Sequence, residues 1–197
     1  MLDAFLKIAL LYVFVVPAIG QQSQVLANDA RALVTRVQLS PGESFIMPDD
    51  QTGSIWVSLD PLVLVTRKDG RQNKRNVLAG NTGTIIAGET LTFEIEIGLH
   101  AQLIIVKPKM PQQDLTVGPF LQSNSLEDAS GRNATLLIAI SSSQFQDIRN
   151  LGDESEWKPG KPDIVTMRSG SVRWIRSGIH HFKNLGPNPA KLVAIEW

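Results

Sequence analysis

The sequence predicts an all-β chain, and three observations carry that prediction. Beyond residue 21, apolar residues gather in runs of about four to eight, rich in Val, Ile, Leu, Thr and aromatics, the signature of short strands. Turn residues punctuate the runs: Ser40-Pro41-Gly42, Asp60-Pro61, Lys68-Asp69-Gly70, Ser169-Gly170 and Gly186-Pro187-Asn188-Pro189. Residues 91–97 alternate strictly, with Leu91, Phe93, Ile95 and Ile97 set against Thr92, Glu94 and Glu96, which predicts a strand with one face buried. In order, the expected strands are 32–39, 54–59, 62–67, 84–86, 91–97, 101–107, 135–140, 164–167, 171–175, 180–184 and 191–195. Only 142–150 offers a helical pattern, with Ser142 as a cap and Phe145 and Ile148 three apart, so one short helix at most is expected.

Ahead of these runs, residues 1–20 read as a signal peptide. Lys7 and the amino terminus precede the apolar run 8–16, Pro17 breaks it, and Ala18-Ile19-Gly20 offers small residues for cleavage. The run is short for a hydrocarbon layer of about 30 Å. Cleavage is therefore favoured over retention as an anchor, and the expected location is secreted or periplasmic, with no membrane contact after cleavage. Across the chain 19 Lys+Arg balance 19 Asp+Glu, so there is no basic footprint for a phosphate backbone, and nucleic acid is not an expected partner. Cysteine is absent, which excludes disulfides, thiolate metal sites and thiol nucleophiles. The only histidines are His100, His180 and His181, and that scarcity limits metal and acid/base chemistry.

The apolar pattern repeats. Gly80, Ile85 and Gly88 match Gly170, Ile175 and Gly178 at an offset of 90. After a one-residue slip, Leu91, Phe93, Ile95, Ala101, Leu103 and Val106 face His180, Phe182, Asn184, Ala190, Leu192 and Ile195. Two copies of one β unit are expected, over residues 21–110 and 111–197. Pro108, Pro111 and Gln112-Gln113 lie in a polar connector between them.

The second copy carries Gly170-Ser171-Val172-Arg173-Trp174-Ile175-Arg176-Ser177-Gly178-Ile179-His180, followed by Asn184. This resembles the second motif of the cupin superfamily, with Arg176 where proline is usual and one residue missing between Gly178 and His180. Ser40-Pro41-Gly42-Glu43 resembles the entry to the first motif, but the stretch that follows, 45–50, has no histidine. The resemblance implies a pair of small antiparallel β-barrels of jelly-roll type. Active cupins hold a divalent metal on three His and a Glu. Here His180 maps onto the metal-binding His of the second motif and Asn184 onto its final Asn, whereas Leu91 and Ile95 occupy those positions in the first copy and cannot ligate. One histidine falls short of the roughly three protein ligands that a catalytic metal needs. The resemblance therefore implies no metal and no cofactor. The rival is a metal-dependent cupin oxygenase, isomerase or lyase holding Fe, Mn, Zn or Ni on His180, helped by His181 and a carboxylate such as Glu127 or Glu154.

Strand alternation turns His180, Phe182 and Asn184 to one face and His181 and Lys183 to the other. On that basis His180 faces the interior, either as a polar group that orients a ligand or as a core histidine bonded to Asn184 or backbone. Trp56 and Trp174 fall inside strands and are expected in the core. Trp157, beside Lys158-Pro159-Gly160, is a candidate lid that stacks on a sugar-like ligand or simply packs. The candidate ligand-binding residues are His180, Asn184, Trp157 and Trp174. Glu127-Asp128 and Glu154-Ser155-Glu156 stand in polar, loop-like stretches and read as solvated charge. Arg67-Lys68, Arg71 and Lys74-Arg75 surround a hairpin turn at Asp69-Gly70; such a cluster either touches an anionic glycan or lipid head group or serves solubility. No catalytic residue is assigned. The expected function is non-catalytic binding of a small molecule, carbohydrate-like ligands included, or self-association as a homodimer through sheet edges.

Overall fold

The computed structural model describes residues 22–95, 100–109, 115–120, 126–131, 134–152 and 156–197. The expected signal segment 1–20 and Glu154 lie outside the described residues.

In chain order the first half carries β1 (Gln22–Asn28), β2 (Ala32–Leu39), β3 (Ser44–Met47), β4 (Ile55–Ser58), β5 (Leu62–Lys68), β6 (Arg71–Val77), β7 (Thr82–Thr84), β8 (Glu89–Glu94) and β9 (Ala101–Pro108). The second half carries β10 (Thr116–Phe120), β11 (Leu126–Gly131), β12 (Thr135–Ala139), β13 (Ser143–Arg149), β14 (Asp163–Met167), β15 (Val172–Ile175), β16 (Gly178–Asn184) and β17 (Leu192–Glu196). The first half forms one sheet in the order β1-β2-β9-β4-β7 and another in the order β3-β8-β5-β6; the second half forms β10-β17-β12-β15 and β11-β16-β13-β14. Setting β1 aside, the two halves have the same strand order, so the repeat seen as an apolar pattern is a repeat of topology. The fold is all-β and of jelly-roll type.

Some runs carry consecutive apolar residues because their strands are buried on both faces. In β12, Leu137 and Ala139 face the second half's own core, while Leu136 and Ile138 face a seam between the halves. In β9, Leu103 and Ile105 point into the first core and Ile104 and Val106 into the same seam. Three apolar layers result: a first core around Trp56, Leu64 and Phe93, a second around Phe145, Phe182 and Leu137, and the seam. The first core is tight. At Gly83 a Cβ would lie 2.7 Å from Cζ2 of Trp56, whose ring packs edge-on against Phe93 at 5.4 Å, so β7 passes the indole only as glycine.

Three expectations need correction. The expected strand 84–86 is displaced: β7 spans Thr82–Thr84, and Ile85 and Ile86 lie beyond it. The segment 142–150 is not a helix: Ser143–Arg149 is β13, paired with β14 on one side and β16 on the other. The spacing of Phe145 and Ile148 imitates a helix, but Phe145 and Asp147 are buried and their neighbours are not, the period of a strand whose ladder is supplied by two partners. Glu127-Asp128 belongs to β11, not to a loop. Among the described residues no helix is long and apolar enough to cross a membrane.

Candidate functional site

The second half's interior changes character along its length. At one end Phe145 and Phe182 meet edge to face at 5.8 Å, with Val165 and Met167 beside them. One step further along the same inward rows, β13 presents Asp147 and β16 presents His180, both buried. His180 stacks on Phe182 with ring centroids 5.7 Å apart. His180 Nδ1 lies 2.7 Å from Asp147 Oδ1, and its Nε2 lies 3.1 Å from the carbonyl oxygen of Arg176. A carbonyl only accepts, so Nε2 donates to Arg176, while Nδ1 faces the Asp147 carboxyl. Hydrogen-bond geometry thus commits both ring nitrogens.

Above this floor opens a pocket of about 330 Å³, rimmed by Arg149 from β13, Lys161 and Asp163 at the start of β14, and Arg173 and Arg176 around the end of β15, with Trp174 and Ile175 on its wall. Both carboxylates are already engaged: Asp147 with His180, and Asp163 with Arg173 Nη2 at 2.7 Å. Arg149 donates weakly to the Ser177 carbonyl at 3.3 Å and keeps further guanidinium hydrogens. Gly178 lies alongside; a Cβ there would stand 3.3 Å from Arg149 Nε, so a larger residue would crowd that guanidinium. The rim therefore holds a surplus of exposed cations over a neutralised floor, an arrangement suited to an anion.

The residues singled out in the sequence divide. His180 and Trp174 line the pocket. Trp174 also reaches the seam, packing on Trp197 with centroids 4.9 Å apart and lying 5.1 Å beneath the Arg31 guanidinium. Asn184, at the opposite end of β16, holds the following turn: its Nδ2 donates to the Asn188 carbonyl at 2.7 Å and its Oδ1 accepts from Gly186 N at 3.0 Å. Trp157 stands on the outer face, its ring 3.7 Å from that of His181, which is thereby half-buried. His100 is an exposed residue next to β9.

Asp147, Arg149, Lys161 and Asp163 were not singled out. Alternation would have found Asp147 once 143–149 is read as a strand, since an acidic residue two positions after Phe145 must face inward. The first half supplies the contrast. Phe93 pairs with Leu64 as Phe182 pairs with Asp147, so Leu64 and Leu91 occupy the places of Asp147 and His180, and both leucines are buried in the first core. Its concavity, about 300 Å³ between β2, β3 and β9, is lined largely by apolar groups such as Leu33, Val37, Phe45 and Met47.

A metal of the kind that active cupins hold needs three His and a Glu around one point. Among the described residues no three His, Asp or Glu side chains converge, and the two that meet here are bonded to each other. The residues present do not fit that group.

No protein-family model matches the chain, and no curated protein matches its sequence. Solved structures do. The Lactobacillus farciminis oxalate decarboxylase, in a formate complex, is 9% identical with a TM-score of 0.63, over 90% of this chain and 81% of that one. A conserved protein of unknown function from Pseudomonas aeruginosa is 12% identical with a TM-score of 0.62, over 90% and 92%. The vicilin of Solanum melongena is 10% identical with a TM-score of 0.54, over 84% and 74%. A cupin conserved-barrel protein is also among the matches. At these identities the likeness shows the fold alone, a repeated jelly roll like that of the cupin proteins among the matches.

Proposed function

We propose that this chain of two cupin barrels is an exported, non-catalytic binding protein whose second barrel takes a small carboxylated molecule, a sugar acid included, at its mouth. The observation that carries the reading is the cationic rim of Arg149, Lys161 and Arg176 above a floor whose carboxylates are already paired. Export rests on the leader-like residues 1–20. The non-catalytic part of the reading is supported by His180, whose two ring nitrogens are held by Asp147 and by the Arg176 carbonyl, and by the lack of a third acidic or imidazole group beside them among the described residues. Support also comes from the eggplant vicilin, described with different anionic ligands in structurally similar pockets, and from the oxalate decarboxylase, seen with formate.

Calorimetric titration with galacturonate, citrate and phosphate tests the reading. Binding of at least one carboxylate is expected, weakened about tenfold or more by Arg149→Ala and by Arg176→Ala, the value of a charge-assisted hydrogen bond. Heat that is absent for all three anions, or unchanged in both variants, would sink it.

A further inference from the structure

The first half carries a second cationic surface that owes nothing to the pocket of the second. β5 and β6 form a hairpin closed by the two-residue turn Asp69-Gly70, with φ of 50° and 71°. From residue 67 to 76 every position is exposed, so β6 runs with both faces in solvent up to Val77, at the open edge of its sheet. The segment holds Arg67, Lys68, Arg71, Lys74 and Arg75 against Asp69 alone, a net +4 in a chain whose total is zero. The topology does not require this. The equivalent strand of the second half, β14, reads Asp163-Ile164-Val165-Thr166-Met167 and has no cation.

Charge placement is the informative part. Lys68 sits opposite Arg71 on β6, a like-charge pair, and opposite Glu89 on β8, which offsets only one of the two cations. Alternation puts Lys68, Arg71 and Arg75 on one face, with Thr66 and Asn73 between them. None of the ion pairs among the described residues engages those three, and Glu89, across from Lys68, is the one carboxylate that faces them in register. Arg71 and Arg75 are about 14 Å apart at ~3.4 Å per residue, too long for one small anion and suited to a chain with repeated charges. A broad concavity of about 740 Å³ flanks the turn, lined by Thr66, Lys68, Asp69, Arg71, Gln72 and Asn73.

We propose that this hairpin is a docking surface for a linear anionic polysaccharide. Residues 67–76 contain no apolar side chain to enter a bilayer and no aromatic ring to stack on a base, which argues against a membrane or a nucleic acid. The interleaved Gln72, Asn73 and Asn76 supply amide donors and acceptors that match hydroxyl and carboxylate groups.

The test is retention of the full chain on immobilised heparin and polygalacturonate at low salt, with neutral dextran as the blank. The expected result is retention on at least one charged polymer, lost on raising salt. Substituting Lys68→Gln, Arg71→Gln and Arg75→Gln together should weaken it roughly tenfold, the cumulative worth of three exposed ion pairs. Hydrogen exchange on the unsubstituted chain gives an independent readout: added heparin should protect amides within 66–76. Lys191→Gln, at an exposed cation outside both sites, should leave retention unchanged, and saturating free galacturonate should not elute the chain from heparin, which separates this surface from the second-barrel pocket. No retention on either polymer, or retention undiminished in the triple variant, would overturn the proposal. Capture by phosphatidylserine vesicles or by duplex DNA, with no capture by polysaccharide, would overturn it in favour of those partners.

Discussion

Produced alone, residues 116–197 are expected to lack a cooperative fold. The reason is the seam. Leu136, Ile138, Ile140, Val193 and Ile195 are buried there against Ala32, Val34, Ile55, Val57, Leu59, Ile104 and Val106 of the first half, and Trp174 and Trp197 pack on its margin. Burying a large aliphatic side chain is worth about 1.5–3 kcal/mol, so exposing five of them forfeits roughly 7–15 kcal/mol. That matches the whole stability of a typical domain, about 5–15 kcal/mol. Near-ultraviolet circular dichroism and proton chemical-shift dispersion check it: the fragment should show neither a tryptophan signature nor dispersed methyl resonances. A fragment that melts cooperatively would show that the two halves are independent and that the seam is incidental.

Asp147→Leu is expected to cost about 3 kcal/mol, because it leaves a buried imidazole nitrogen without its carboxyl partner. For a chain of this length that lowers the melting temperature by roughly 6–12 °C. The companion variant Asp147→Leu with His180→Leu should return to within about 1 kcal/mol of the original protein, since well-packed apolar residues replace a buried ion pair at little net cost. The molecule itself contains that solution, at Leu64 and Leu91, 1% and 2% exposed in the first barrel. A double-mutant cycle from thermal or urea melts gives the coupling. If the double variant falls by the sum of the two single losses, the pair is not the unit described here.

What the sequence made legible, and what it hid, follows from how each strand is stabilised. Strands buried on both faces, such as β9 and β12, announce themselves as apolar runs, and the shared positions of Phe93 and Phe182 reveal the repeat. β1 (Gln-Ser-Gln-Val-Leu-Ala-Asn) has only the short apolar stretch Val25-Leu26-Ala27, without alternation, and β6 (Arg-Gln-Asn-Lys-Arg-Asn-Val) has Val77 alone. Both lie at sheet edges, where backbone pairing to one neighbour suffices. His180 was identifiable from the cupin-like motif and from alternation. Its partner was not, because a chance spacing of Phe145 and Ile148 disguised β13 as a helix and so concealed the inward Asp147. The cationic rim is harder still. Arg149, Lys161 and Arg176 converge from three separate places in the chain, and only the closure of the barrel brings them to one mouth. Asn184 shows the converse: it matches the motif, yet its hydrogen bonds serve the turn that follows β16.

On the proposed reading, the second-barrel mouth receives an anion and Asp147 keeps His180 from a cation. A crystal soaked with both a zinc salt and galacturonate, recorded at the zinc absorption edge, tests both parts in one map. The account predicts carboxylate density within hydrogen-bond distance of Arg149 or Arg176, and no anomalous peak at His180. An anomalous peak about 2 Å from a His180 nitrogen, with the Asp147 contact broken, would contradict it.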